Sequence, residues 1–169
     1  MNTLDAIRTR QSIRKFQSAE VPREKIDHLL KAASCAPSAG NSQPWHFVVM
    51  TDKGVLAKAA KINPFADMAS GAPLAILVCA DMKLERFPGN WMLDCSNAAM
   101  NILLAAHDMG LGAVWTGVYP NEETMRAFRQ LIGAPEDIAP HSFLILGTPD
   151  ETPEAHARHL EGRIHADRW

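Results

Sequence analysis

Residues 74–80 read LAILVCA, an unbroken apolar run. A strand with one wet face alternates apolar and polar residues, whereas a strand apolar at every position has to be covered on both faces. The wider run, 72–80, is far short of the ~20 residues needed to cross a bilayer. It therefore reads as a central strand, and the rest of the chain must bring helices to the sheet that holds it. For 169 residues the surface-scaling rule leaves about 8,200 Å² exposed out of about 27,000 Å² in the unfolded chain. One such chain buries enough for a real core.

The flanking sequence supplies those helices. Asn2 and Thr3 offer a cap for a short helix with Leu4 and Ile7, and the polar, basic stretch 10–16 that follows reads as a loop. Ser18 and Pro22 open a second, in which Ile26, Leu29, Leu30 and Ala33 fall on one face. Pro37 stops it, and 37–44 (PSAGNSQP) is a breaker-rich loop. Residues 46–51 read as a strand and 52–61 as a short helix, followed by a connection of open form at 64–71. The longest periodic segment, 90–109, ends at Gly110, a helix-terminating signal. Its stripe of Met92, Cys95, Ala99, Ile102, Leu103 and Ala106 is rich in small residues, which let another helix approach closely. Strands are expected at 112–118 and 142–146, with a helix between them capped by Asn121 and running to Leu131. Met100 and Met109 are assigned to the core. The count is four strands and five helices in one domain, α/β or α+β. Residues 150–169 carry no helical or strand pattern, so this tail should lie along its own domain or a partner chain.

Composition narrows function by exclusion. Apolar residues make up 47% and charged residues 21%, too apolar for a disordered chain. A net charge of −2 argues against a general nucleic-acid binder, though not against a local basic pocket. Three cysteines without CxxC spacing give neither a disulfide framework nor a zinc module. With no apolar signal core at the N-terminus, a reducing cytosol is the expected compartment. Cys35 is expected buried and inert, the usual state of a free cysteine, with a reactive thiol as the alternative. His156, His159 and His165 lack the spacing of metal ligands. GxGxxG, P-loop, GxSxG and HExxH patterns do not occur. A Rossmann half plus a separate catalytic domain would not fit comfortably in this length, so a redox enzyme of this size must build its site economically.

Three segments carry candidate chemistry. Arg10-Gln11-Ser12-Ile13-Arg14-Lys15 lies in an N-terminal stretch, residues 1–25, with six Lys/Arg against three Asp/Glu. Arg10, Ser12 and Arg14 suit a phosphate grip, and a solvated basic turn is the alternative. In the loop Pro37-Ser38-Ala39-Gly40-Asn41-Ser42-Gln43-Pro44-Trp45, Gly40 lets backbone approach a flat ligand. Asn41 and Gln43 offer amides to a heterocycle edge, and Trp45 is placed beneath the ligand or in the core. Trp115-Thr116-Gly117-Val118-Tyr119-Pro120 is either a strand end with backbone facing a ligand or a plain exit.

Taken in order along nearly the whole chain, these segments resemble the short members of the FMN-dependent nitroreductase family. Asn101-Ile102-Leu103-Leu104-Ala105-Ala106, Gly110-Leu111-Gly112-Ala113-Val114-Trp115 and Leu146-Gly147-Thr148-Pro149 extend the likeness, as does the tail from Arg163 to Trp169. The resemblance implies an α+β fold with a central, mostly antiparallel sheet flanked by helices, spanning 1–169 as one FMN-binding domain. It also implies an intertwined homodimer, with the long central helices packed across the two-fold and each tail, 150–169, wrapping the other subunit. By the same resemblance Arg10, Gln11, Ser12 and Arg14 grip FMN. Pro37, Ser38, Ala39, Asn41 and Gln43 come from the other subunit, and Thr116 and Gly117 approach the ring with backbone. Arg163, or else Arg158, completes the phosphate site. The implied reaction is ping-pong, with NADH or NADPH as donor and a nitroaromatic, quinone or similar small acceptor. No side-chain catalyst or metal is called for, because the chemistry belongs to the cofactor. Larger relatives often have an acidic residue where Thr116 stands, and the short 81–90 stretch leaves little room for pocket-narrowing helices. A flavin-storing protein and a same-fold enzyme of different reductive chemistry are the alternatives.

Overall fold

A computed structural model describes residues 1–154 and 159–169. Its centre is a four-stranded antiparallel sheet in the order β1-β2-β4-β3. The strands are β1 Trp45–Met50, β2 Leu74–Asp81, β3 Gly112–Gly117 and β4 Ile138–Gly147. The helices are α1 Thr3–Thr9, α2 Arg23–Ser34, α3 Lys53–Ile62, α4 Trp91–Asp108 and α5 Glu122–Ile132. The expected α+β class is the one observed.

The apolar run that demanded two cover layers has them. Successive strand side chains point to opposite faces. Leu74, Ile76 and Val78 of β2, with Leu144 and Leu146 of β4, pack with α2 and α4. Ala75, Leu77, Cys79, Phe143 and Ile145 pack on the other face with Leu56, Ala59 and Phe128 from α3 and α5. Asn2 and Asn121 cap α1 and α5 as expected, accepting from Asp5 N–H and Thr124 N–H at 2.8–2.9 Å; Asp52 caps α3 by accepting from Val55 N–H at 2.8 Å, whereas Pro22, not Ser18, stands at the start of α2 and no side chain caps it. Ile26, Leu29 and Ala33 of α2 are buried, and Leu30 is half-buried.

Five expectations are corrected. Residues 10–16 are not a plain loop: the segment runs extended beside the sheet, with a parallel bridge Ser12↔Ala113 and an antiparallel one Phe16↔Pro149. Ile13 N–H donates to Ala113 O at 3.0 Å and Gln17 N–H to Thr148 O at 2.9 Å. Strand β4 begins at Ile138, not at 142, because Pro140 and His141 sit where the β2 register shifts and so break the alternation a strand normally shows. Cys35 is exposed, while Cys79 and Cys95 are buried. Met100 is 42% exposed, and the small-residue stripe of α4 does not face outward at all. Cys95, Ala99, Ile102, Leu103 and Ala106 are buried within the chain, where Asn101 Nδ2 also donates to Ala32 O of α2 at 3.0 Å. The outward face of α4 carries Leu93 and Met100 instead.

The chain keeps more surface than its size predicts. Its accessible area is 10200 Å², against about 8,200 Å² for a compact monomer of this mass. The tail adds apolar area to it: Leu160, Ile164 and Trp169 are 63%, 73% and 102% exposed. Among the described residues, no helix is long and apolar enough to cross a membrane.

Burial pushes the Cys79 thiol up to about 12, and the Cys95 thiol is raised by burial as well. A thiol-disulfide reagent at pH 8 should therefore label Cys35 alone in the native protein and all three cysteines in denaturant, as counted by intact-mass spectrometry.

Candidate functional site

Strand β3 is an edge strand, and its outer backbone defines the site. Alternate residues of an antiparallel strand direct their N–H and C=O groups to opposite sides. Val118 N–H donates toward β4, to His141 O at 3.2 Å, and Ala113 O accepts from Ile13 on the other side. Ala113, Trp115 and Gly117 thus face the outer edge. Segment 10–16 covers the first of these. Asn63, 3% exposed, covers part of the last: its Nδ2 donates to Gly117 O at 2.7 Å and its Oδ1 accepts from Phe65 N–H at 2.9 Å. Between them the backbone of Trp115 and the N–H of Gly117 face outward. The Thr116 side chain is buried, its Oγ1 donating to Phe143 O at 2.9 Å. Only backbone is therefore presented at 115–117.

Ile13 locks the segment in place. A Cβ on Gly112 would lie 2.7 Å from Ile13 Cγ2, so the side chain rests on bare backbone. Two cavities, each of about 470 Å³, flank the segment. Arg14, Thr116, Gly117, Phe65 and Met68 line one. Arg10, Gln11, Thr9, His107 and Glu151 are among the residues lining the other. Ser12 is half-buried in the segment between. The Glu151 carboxylate accepts from the Arg14 and Lys15 N–H groups, and these bonds, Arg14's first, hold it below the usual carboxylate range.

The loop 37–43 lies elsewhere. It leads into β1, and β1 and β3 are the two outer strands. Three inter-strand steps separate them, roughly 14 Å. One chain therefore does not bring Pro37, Ser38, Ala39, Asn41 and Gln43 to Arg14 and Gly117. Within the loop, Ser38 Oγ accepts from Gln43 N–H at 3.0 Å and Gln43 Nε2 donates to Asn41 Oδ1 at 2.9 Å. The two amides are thus partly spent on each other. Trp45 is a core residue, not the floor of a ligand site. Arg163 stands exposed in the tail, outside both cavities. Arg158 and His156 lie outside the described residues.

Two residues escape sequence reasoning. Asn63 precedes Pro64 and reads as turn punctuation. His141 follows Pro140 and has no periodic partner. It is buried among Trp91, Trp115 and Tyr119, with ring centroids 5.9, 5.7 and 6.2 Å away. Its Nε2 lies 3.3 Å from Ser96 Oγ, and its Nδ1 has no hydrogen-bond partner among the described residues. Burial pulls its pKa down to about 4.

Known proteins share this fold. The family model described as "Nitroreductase family" matches residues 7–67 and 63–148. A protein of Methanothermobacter thermautotrophicus, named as a candidate NADH dehydrogenase/NAD(P)H nitroreductase, is 49% identical over 169 residues, covering 100% of this chain and 88% of its own length. A crystal structure from Parabacteroides distasonis with the same name superposes with a TM-score of 0.95 at 38% identity, covering 99% of this chain and 98% of that one. An FMN-dependent nitroreductase from Clostridium difficile gives a TM-score of 0.92 at 29% identity, covering 99% and 100%.

Two outcomes are expected. Gly112→Ala should destabilise the chain by about 1–3 kcal/mol through overpacking against Ile13, read as a lower urea midpoint. His141 binds a proton more readily unfolded than folded, so stability is full above about pH 6.5 and falls as pH drops toward 4, by up to roughly 3 kcal/mol. His141→Phe should flatten that part of the stability-pH profile measured by urea unfolding.

Proposed function

This chain belongs to the nitroreductase family, and from that membership we propose that it is an FMN-dependent NAD(P)H oxidoreductase acting as a homodimer on nitroaromatics, quinones or similar small acceptors. The observation that carries the reading is the outer edge of β3, where outward backbone at 115–117 lies beside the cationic segment 10–14. The donor set fits FMN. Arg10, Ser12 and Arg14 offer forked and hydroxyl donors suited to a phosphate and to the polar edge of a flavin, with Gln11 beside them. Outward backbone at Trp115 and Gly117, on either side of the inward-turned Thr116, offers a flat approach to the ring. When bound, FMN supplies hydride acceptance from NADH or NADPH at N5 and electron delivery to the acceptor.

The chain's own residues then have three tasks. The arginines neutralise the phosphate and favour negative charge on the flavin. Asn63, by fixing the Gly117 carbonyl, aims the Gly117 N–H. Phe65, 78% exposed at the mouth of the cavity, gives the flat donor and acceptor an apolar surface. No side-chain nucleophile or acid–base pair is assigned.

The homodimer completes the site. Pro37, Ser38, Ala39, Asn41 and Gln43 lie a sheet's width from β3 in their own chain, and we assign them to the partner's flavin. The excess surface, the apolar outer face of α4 and the exposed tail are the material of an intersubunit interface. We read 1–169 as one domain whose tail, 150–169, wraps the partner and brings Arg163, or Arg158, to the phosphate. The unpaired thiols suit a cytoplasmic setting.

The purified protein should be yellow and oxidise NADH or NADPH with a nitroaromatic or quinone. Replacing both Arg10 and Arg14 by Ala should weaken FMN binding by about a hundredfold or more, since two charge-assisted contacts at ~1.5–3 kcal/mol each sum to at least ~3 kcal/mol. The dimer should persist in size-exclusion chromatography. A colourless protein that takes up no added FMN would overturn the reading. Bound FMN that neither nicotinamide reduces in a stopped-flow trace would mark a flavin store instead.

A further inference from the structure

Loop 37–43 takes a tight left-handed path that is costly at one residue, Gln43. Gly40, Asn41 and Gln43 have φ of 58°, 54° and 46°. Glycine takes the left-handed region freely and asparagine tolerates it, but glutamine does so at a cost. Backbone of this kind persists only where its surroundings over-determine it.

The surroundings come from two places outside the loop. From beneath, Asp94 in the first turn of α4 is 3% exposed. It accepts from Ala39 N–H at 2.9 Å and from the Ser42 hydroxyl at 3.4 Å. From outside, the short connection 82–90 reaches over. Arg86 Nη1 donates to Gly40 O at 3.1 Å. A Cβ on Gly40 would meet the Phe87 ring at 2.6 Å, so the ring covers the bare backbone of the turn. The connection is itself fastened at both ends: Lys83 N–H donates to Asp81 Oδ1 at 2.9 Å and Trp91 N–H to Glu85 Oε1 at 3.1 Å. Phe87 remains 53% exposed and Arg86 is exposed. Neither is placed to contribute much to the core; the Arg86 guanidinium and the Phe87 ring both meet Gly40, while Phe87 O accepts from Asn90 N–H and Nδ2 at 3.1 Å.

We propose that Arg86 and Phe87, together with Asp94, are positioning residues that fix loop 37–43 in the form it presents to the partner's flavin, so that the 82–90 connection governs cofactor retention in the opposite subunit. This rests on assigning the loop to the partner's site. The connection, too short to form pocket-narrowing helices, acts as a clamp on the loop beside it. An exposed arginine and a half-exposed ring can change without disturbing the core, which makes the clamp separable from folding.

The test uses the full-length dimer with and without FMN. Arg86→Ala/Phe87→Ala should speed amide exchange at 39–43 by about tenfold and weaken FMN binding by a similar factor, the loss of one hydrogen bond and its packing. The thermal midpoint of the FMN-free dimer should stay unchanged. Arg86→Lys, which keeps one donor, should recover part of both effects when set against Arg86→Ala. Asp94→Asn should speed exchange at Ala39 in the same way. A double variant that binds FMN as tightly as the wild type overturns the proposal, whether or not its loop exchanges faster. Loss of affinity with unchanged exchange at 39–43 overturns it too, because the effect then does not pass through the loop. If the wild type itself takes up no FMN, the functional reading fails first and the clamp's role falls with it. The two failures are therefore told apart by the wild-type titration.

Discussion

An edge strand leaves a row of N–H and C=O groups without a ladder partner, and such a row is either covered, blunted or used. In this chain β3 is covered at one end by residues 10–16 and pinned at the other by Asn63, with the backbone of 115–117 left facing out between them. The fold around it keeps that edge rigid. Gly112 admits Ile13 against the strand, Gly147 admits Pro73 and Phe16 beside it, and Thr116 turns its hydroxyl inward to Phe143 O. A side chain larger than hydrogen at Gly112 would push the cationic segment off the strand. The site is thus a consequence of sheet packing as much as of its own polar residues.

How much of this was legible in the sequence follows from the range of the interactions involved. The two-faced burial of β2 is written in consecutive residues, so LAILVCA sufficed to require both helical layers. Caps at Asn2 and Asn121 act over three residues and were equally readable. The start of β4 was hidden because Pro140 and His141 interrupt the alternation, and only the shifted pairing with β2 explains how a proline sits within a central strand. Residues 10–16 read as a loop because their polar side chains carry no period. What makes the segment strand-like is backbone pairing to β3, a hundred residues away in sequence.

The site divides along the same line. Arg10, Ser12, Arg14 and Gly117 were visible as residue types suited to a phosphate and a flat ring, and the structure sets the cationic segment beside the β3 edge. Asn63 and His141 were not visible, because each acts through one long-range contact that no local pattern announces. The stripe of small residues on α4 was visible and misassigned: small side chains announce close approach without saying what approaches. Here it is α2 and the sheet of the same chain, and the outer face of α4 carries Leu93 and Met100 instead.

That reassignment bears on the size of the functional unit. Burying the stripe internally makes the core of one chain self-sufficient, yet the chain still exposes about 2,000 Å² beyond the compact expectation. Most stable interfaces bury a comparable total area. The loop at 37–43 points to the same conclusion independently, since it is built to a strained and defined shape at the sheet edge opposite Arg14. On the reading we propose, the turn that Asp94, Arg86 and Phe87 hold serves the partner's site, and in a two-fold assembly any surface one subunit offers is offered by both. Each chain of that dimer supplies two half-sites, one at β3 and one before β1. The geometry that keeps them apart in the monomer is what makes a symmetric pair of complete sites in the dimer we propose.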